Sequence, residues 1–103
     1  MTYYLTSDAQ QDIIFIRRYT LKQWGITQSA KYIQKLRETL ILLTKYPNLG
    51  KPIYDLPKKV YGYPCQKHII YYFFHQKKLF IFAILHQYTS ALPHLMNRLN
   101  NET

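Results

Sequence analysis

"KHIIYYFFHQKKLFIFAILH", Lys67 to His86, is the stretch on which the fold turns. Two apolar runs, Ile69–Phe74 and Leu79–Leu85, flank the polar tetrad His75–Lys78. A membrane-spanning helix needs about 20 mostly apolar residues. Reading the stretch that way puts Lys77 and Lys78 at mid-bilayer, at about 3 kcal/mol each. Both runs are strand-sized and rich in Ile, Phe and Tyr, which predicts a β-hairpin turning at His75–Lys78. Neither strand alternates cleanly, so both faces of the sheet must be at least partly covered.

The N-terminal half supplies the cover. Thr2–Thr6 reads as a short strand, and Ser7 as the cap of a helix, with Gln10 three residues on as in a capping box. Ala9, Ile13, Ile16, Thr20 and Trp24 recur at helical spacing, with Ile14 and Phe15 widening the stripe. Gly25 stands where a left-handed residue ends a helix, and Thr27 is placed to cap the next. Ala30, Ile33, Leu36, Leu40 and Leu43 mark the buried face of that second helix, which Pro47 stops. Two helices joined by about three residues pack antiparallel. "KPIYDLPKK" reads as an irregular connector, Val60–Cys65 as a further strand that Pro64 places at an edge or bulge, and Ala91–Asn100 as a short last helix. The fold class is α+β: an N-terminal strand, an αα-hairpin, a three-stranded antiparallel sheet and a short C-terminal helix.

A chain of 103 residues is one domain, 1–103, large enough for a single modest core. The lone cysteine, Cys65, excludes an intrachain disulfide and points to a reducing cytoplasm. The stretch "MTYYLTSDAQQD" has neither the basic nor the apolar region of a signal peptide. Fourteen Lys and Arg against five Asp and Glu give a net charge of +9, a property that selects partners, not folds. Nucleic acid, a membrane surface and an acidic protein all fit it.

The residues offer little for metal chemistry. Asp8 and Asp12 share a helical face but lie at a helix start, where acids favour the dipole anyway. His68 and His75 point to opposite faces of one strand and His94 is on another element, so no metal site is expected. Cys65 and His68, three apart on extended chain, also read as pointing apart. Metal-free phosphoryl cleavage needs a base, an acid and cations on the phosphate. A turn at Gln76–Lys77 makes paired positions sum to 153, which sets Lys67 opposite His86. Lys67, His86 and Tyr88 then share a rim near Lys58, Lys59 and Tyr61, a set that fits either RNA contact or plain solvated rim residues. Arginine is absent between Glu38 and Met96, and lysine does not replace its bidentate phosphate clamp.

The pattern resembles the RelE/ParE superfamily of toxins from type II toxin–antitoxin systems, and more closely its ParE branch. The resemblance rests on "LTSDAQQDI" and "YTLKQWG" at the two ends of the first helix and "YPNLGKP" after the second. "HIIYYF" and "IFAILHQY" on successive strands and "HL" at His94–Leu95 complete it. It implies a toxin that inhibits DNA gyrase by binding, with no cofactor and no catalysis. It further implies neutralisation by a cognate acidic ParD-like antitoxin in a toxin–antitoxin hetero-oligomer, a cytoplasmic location and no membrane partner. Expected target contacts are Lys58, Lys59, Lys67, Lys77, Lys78, Tyr88 and Arg98. The expected antitoxin anchors are Tyr3, Tyr4, Phe15, Tyr19 and Tyr32. RelE-like relatives cleave ribosome-bound messenger, for which Lys67, His86 and Tyr88 are the candidate catalytic residues here. A non-toxic basic nucleic-acid-binding module is the third reading. The ParE branch commonly carries arginine on the strands where Tyr61 and Ala83 stand in this chain.

Overall fold

Thr6, not Ser7, starts the first helix. Its backbone is extended and its hydroxyl accepts the Ala9 N–H at 3.2 Å, while the Gln10 side chain reaches back to the Leu5 carbonyl. The structure, a computed structural model, describes residues 2–101. Met1, Glu102 and Thr103, at the ends of the expected domain, lie outside it. The elements run β1 (Tyr3–Leu5), α1 (Ser7–Trp24), α2 (Ile26–Lys45), β2 (Lys51–Ile53), β3 (Val60–Cys65), β4 (His68–His75), β5 (Lys78–His86) and α3 (Ala91–Asn100). A 3-10 turn at Pro47–Leu49 links α2 to β2.

The αα-hairpin joint is one residue long. Gly25, with φ 86° and ψ 179°, ends α1 and opens α2, so Thr27 lies inside the second helix and caps nothing. That φ,ψ pair belongs almost solely to glycine. Across the joint the buried hydroxyls of Thr20 and Ser29 meet at 2.7 Å and pin the helices together.

The sheet has five strands in the order β1-β5-β4-β3-β2, not the expected three. β1 joins it parallel to β5, and β2, inside the presumed irregular connector, pairs antiparallel with β3. The β4–β5 hairpin turns at Gln76–Lys77 as expected, with φ values of 51° and 64° that match a type I′ turn without its usual Asn-Gly.

The register follows the sum of 153 only from His75↔Lys78 to Tyr72↔Ile81. Phe82 is then an extra residue, a β-bulge, after which Tyr71 pairs Ala83 and His68 pairs His86. Lys67 therefore does not face His86. Cys65 pairs with His68 across the two-residue turn Gln66–Lys67, so these two share a face, contrary to the sequence reading. The bulge explains why Ile81, Phe82 and Ala83 are all buried. Ile81 packs toward the helices, and Phe82 and Ala83 both turn to the opposite face.

Two cores result. Ile33, Leu36, Leu40 and Leu43 of α2 and Ile16 of α1 close over Ile70, Tyr72, Leu79, Ile81 and Ile84. On the other face Leu95 and Leu99 of α3, with Leu56 of the β2–β3 loop, cover Val60, Phe73, Phe82 and Leu85. The α1 stripe is narrower than its spacing suggests: Ile14, Phe15 and Trp24 are exposed, as is Ala30 on α2. Among the described residues no helix is long and apolar enough to cross a membrane.

Candidate functional site

Where β1 ends at Leu5, β5 continues to His86 and leaves half of its outer edge without a strand. Unpaired backbone groups on such an edge invite foreign strands. Two side chains fill the gap. The Ile84 N–H donates to Asp12 Oδ2 at 2.8 Å, and Arg98 Nη1 donates to the Phe82 carbonyl at 3.1 Å. Arg98 and Asp12 are joined by two hydrogen bonds. Bonding to Asp12 pushes the Arg98 guanidinium further up from its already high range. Arg98, expected at the target surface, is thus held by the scaffold. Asp12 is not merely a helix-dipole acid.

At the β3–β4 turn a chain of rings crosses the molecule. Trp24 lies 5.8 Å from Tyr32, Tyr32 5.6 Å from His68, His68 5.4 Å from His86 and His86 5.4 Å from Tyr88. The Tyr32 hydroxyl accepts the Lys67 N–H and shares a hydrogen bond with His68 Nδ1. Burial, with the nearby His86 adding to it, lowers the His68 pKa to about 4. Burial likewise raises the Tyr32 phenol. Trp24, Gln28, Tyr32, Gln66 and Lys67 line an open cleft of about 690 Å³ here, with Lys67 Nζ 5.3 Å from the Trp24 ring. Lys67, His86 and Tyr88 do come to one rim, because the Gln87 N–H donates to the Lys67 carbonyl. The Lys67 ammonium lies over the Trp24 indole.

The other expected lysines gather at the opposite end. Lys58 and Lys59 precede β3 and Lys77 and Lys78 close the β4–β5 turn, separated from Lys67 by the eight residues of β4, about 25 Å. Tyr4, Phe80 and Phe73 stack in one row across β1, β5 and β4 at 5.3 and 5.5 Å. Lys78 caps this row over Tyr4 at 5.7 Å and Lys58 over Phe73 at 4.0 Å.

The expected antitoxin anchors divide. Phe15 is 70% exposed and Tyr19 49%, one turn apart on α1. Tyr3 is half-buried against the helix-side core, and Tyr32 is buried and engaged with His68, so neither is a free anchor. Tyr61 stacks on Tyr72, and Ala83 is fully buried beside the bulge. Among the described residues no group of three or more His, Cys, Asp or Glu side chains is arranged to hold a metal.

An αα-hairpin over one face of a five-stranded sheet, with cations and aromatic rings at both sheet ends, defines a small basic α+β protein. Comparison narrows the class. The family model for the ParE toxin of the type II toxin–antitoxin system, parDE, matches residues 3–90, and the chain belongs to that family. It is similar to Toxin ParE1 of Caulobacter vibrioides, 28% identical over 93 residues, 90% of this chain and 96% of that protein. It is also similar to Toxin ParE of Escherichia coli, 29% identical over 98 residues, 94% of this chain and 95% of that one. A chain of the chromosomal ParDE system from P. aeruginosa shares the fold, with TM-score 0.73 and 19% identity over 84% of this chain and 95% of that one.

Proposed function

We propose that this ParE-family toxin acts in the cytoplasm by binding DNA gyrase without catalysis, and that a cognate acidic antitoxin neutralises it. The observation that carries the reading is an uncompensated basic surface on a ParE scaffold. The net charge is +9, and among the described residues Asp12–Arg98 is the one ion pair. Lys58, Lys59, Lys67, Lys77, Lys78 and Tyr88 remain exposed as target contacts. Such a surface speeds encounter with an acidic partner, and buried aromatic contacts supply the affinity.

One observation favours the RelE-like alternative, a messenger ribonuclease. His86 and Tyr88 pack with tilted rings at the rim that Lys67 shares, and the Tyr88 N–H donates to His86 Nδ1 at 3.2 Å. Inducing the chain in bacteria separates the two. Gyrase poisoning gives trapped DNA cleavage complexes and a DNA-damage response with messenger intact, and persists in His86→Ala. Cleaved messenger that disappears in His86→Ala overturns the gyrase reading.

A further inference from the structure

Past Glu38 the described residues carry a single acid, Asp55, so the half of the chain that builds β2 to β5 and α3 is almost wholly cationic. Four of its exposed lysines gather at one end of the sheet. Lys58 and Lys59 lead into β3, and Lys77 and Lys78 lie at the β4–β5 turn, where Lys78 pairs with His75. None of the four makes an ion pair among the described residues, nor does Asp55, which shares the β2–β3 loop with Lys58 and Lys59.

Two features hold these cations in place. Lys58 Nζ lies 4.0 Å from the Phe73 ring and Lys78 Nζ 5.7 Å from the Tyr4 ring. Phe80 stacks between those two rings, so each ammonium sits at an end of one row. Phe73 on β4 and Tyr4 on β1 are two strand spacings apart, about 10 Å. That distance matches about three phosphate steps along one strand of a duplex. Lys77 has φ 64° at the second central position of the type I′ turn, where glycine is usual. A left-handed lysine is locally unfavourable, yet here it sets a cation at the tip of the hairpin.

The composition of this end selects among anionic partners. Protein interfaces are enriched in arginine and depleted in lysine, and no arginine lies between Glu38 and Met96. A single-stranded nucleic acid stacks its bases on free ring faces, whereas the faces of this row are covered by one another and, at its ends, by Lys58 and Lys78. Spaced point charges, with no planar fork and no open ring in the row, suit the phosphate backbone of a duplex. We propose that Lys58, Lys59, Lys77 and Lys78 hold the phosphate backbone of duplex DNA without reading its sequence, so that the toxin grips the DNA on gyrase as well as the enzyme. The choice of DNA over duplex RNA rests on the gyrase reading above.

The test follows binding of a mixed-sequence DNA duplex to the full chain by fluorescence anisotropy, between about 50 and 200 mM salt. The logarithm of affinity should fall with the logarithm of salt concentration at a slope of about −4. Lys58→Gln/Lys78→Gln should lessen that slope by about two and weaken binding at least about tenfold. Lys31→Gln/Lys35→Gln makes the same charge change on α2, whose Lys35 carbonyl lies beside Cys65 at the far end of β3, and should leave the slope almost unchanged. Lys77→Gly separates charge from backbone. It should raise the thermal midpoint and still lessen the slope by about one. All the changed lysines are exposed, and circular dichroism checks that the variants fold. No affinity for the duplex, equal losses in the two double variants, or tighter binding to an RNA duplex of the same sequence overturns the proposal. So does weaker binding of Lys58→Gln/Lys78→Gln to gyrase without DNA, because those lysines then touch the enzyme. A toxin that traps cleavage complexes but has no DNA affinity overturns this proposal and leaves the gyrase reading standing. DNA affinity without trapped complexes does the reverse.

Discussion

Arg98 and Asp12, 86 positions apart in the chain, meet through two hydrogen bonds of 2.6 and 2.9 Å and together stand in for a missing strand. Each also bonds the free half of the β5 edge, at Phe82 and Ile84.

Removing one partner leaves a largely buried charge and an unpaired backbone group. Arg98→Ala or Asp12→Ala should each lower stability by about 3 kcal/mol in chemical denaturation. A double-mutant cycle should show a coupling of about 1 to 3 kcal/mol. Arg98→Lys should recover only part of the loss, because one ammonium cannot reproduce the bidentate grip. Additive single losses would show that the two act independently.

The histidine pair sets a pH limit. His68 has its pKa lowered to about 4 in the fold, against about 6.5 in the unfolded chain. Between those values the unfolded chain binds the extra proton, so stability rises with pH. The contribution is fully present above about pH 6.5 and is lost as pH falls toward about 4. Denaturation midpoints measured from pH 4 to 8 should show this slope in wild type and a flatter one in His68→Gln.

Tyr72 ties the β2 entry to the sheet. Its fully buried hydroxyl donates to the Pro47 carbonyl at 2.8 Å and accepts the Gly50 N–H at 2.9 Å. Tyr72→Phe should cost about 1 to 3 kcal/mol by stranding both groups. Gly50→Ala should also destabilise, since an added Cβ collides with that hydroxyl. The thermal midpoint reads both, and the double variant should be somewhat less damaging than the sum, because a phenyl ring removes the nearest contact, at the hydroxyl, and keeps those at the ring carbons.

The one-residue helix joint depends on glycine for its backbone and not for space. A Cβ at Gly25 meets nothing within 4 Å, yet φ 86° with ψ 179° is strained for any L side chain. Gly25→Ala should cost about 1 to 3 kcal/mol. Gly25→Asn should fare no better, whereas in an ordinary left-handed cap asparagine would recover part of the loss. Parallel denaturation of the two variants distinguishes the cases.

Much of this architecture was legible from local pattern. Leu36, Leu40 and Leu43 recur at helical spacing and are fully buried, and Val60–Cys65 and Ala91–Asn100 are the strand and helix that their residues suggested. The "HQKK" turn is where the apolar runs break. These features rest on contacts within a few residues, which periodicity records directly. Tertiary structure decided the rest. The Phe82 bulge moved His68 opposite His86, and β1 entered the sheet beside β5. Asp12 found Arg98, and Lys67 settled on Trp24. Two signals were present without being conclusive: an acid on the inner stripe of α1, and an arginine between Leu95 and Leu99. Such pairings join residues far apart in the chain, and their energy depends on which backbone groups the whole sheet leaves unsatisfied. No local spacing encodes that quantity, so the sequence alone determined the elements and the folded molecule determined their edges, register and site.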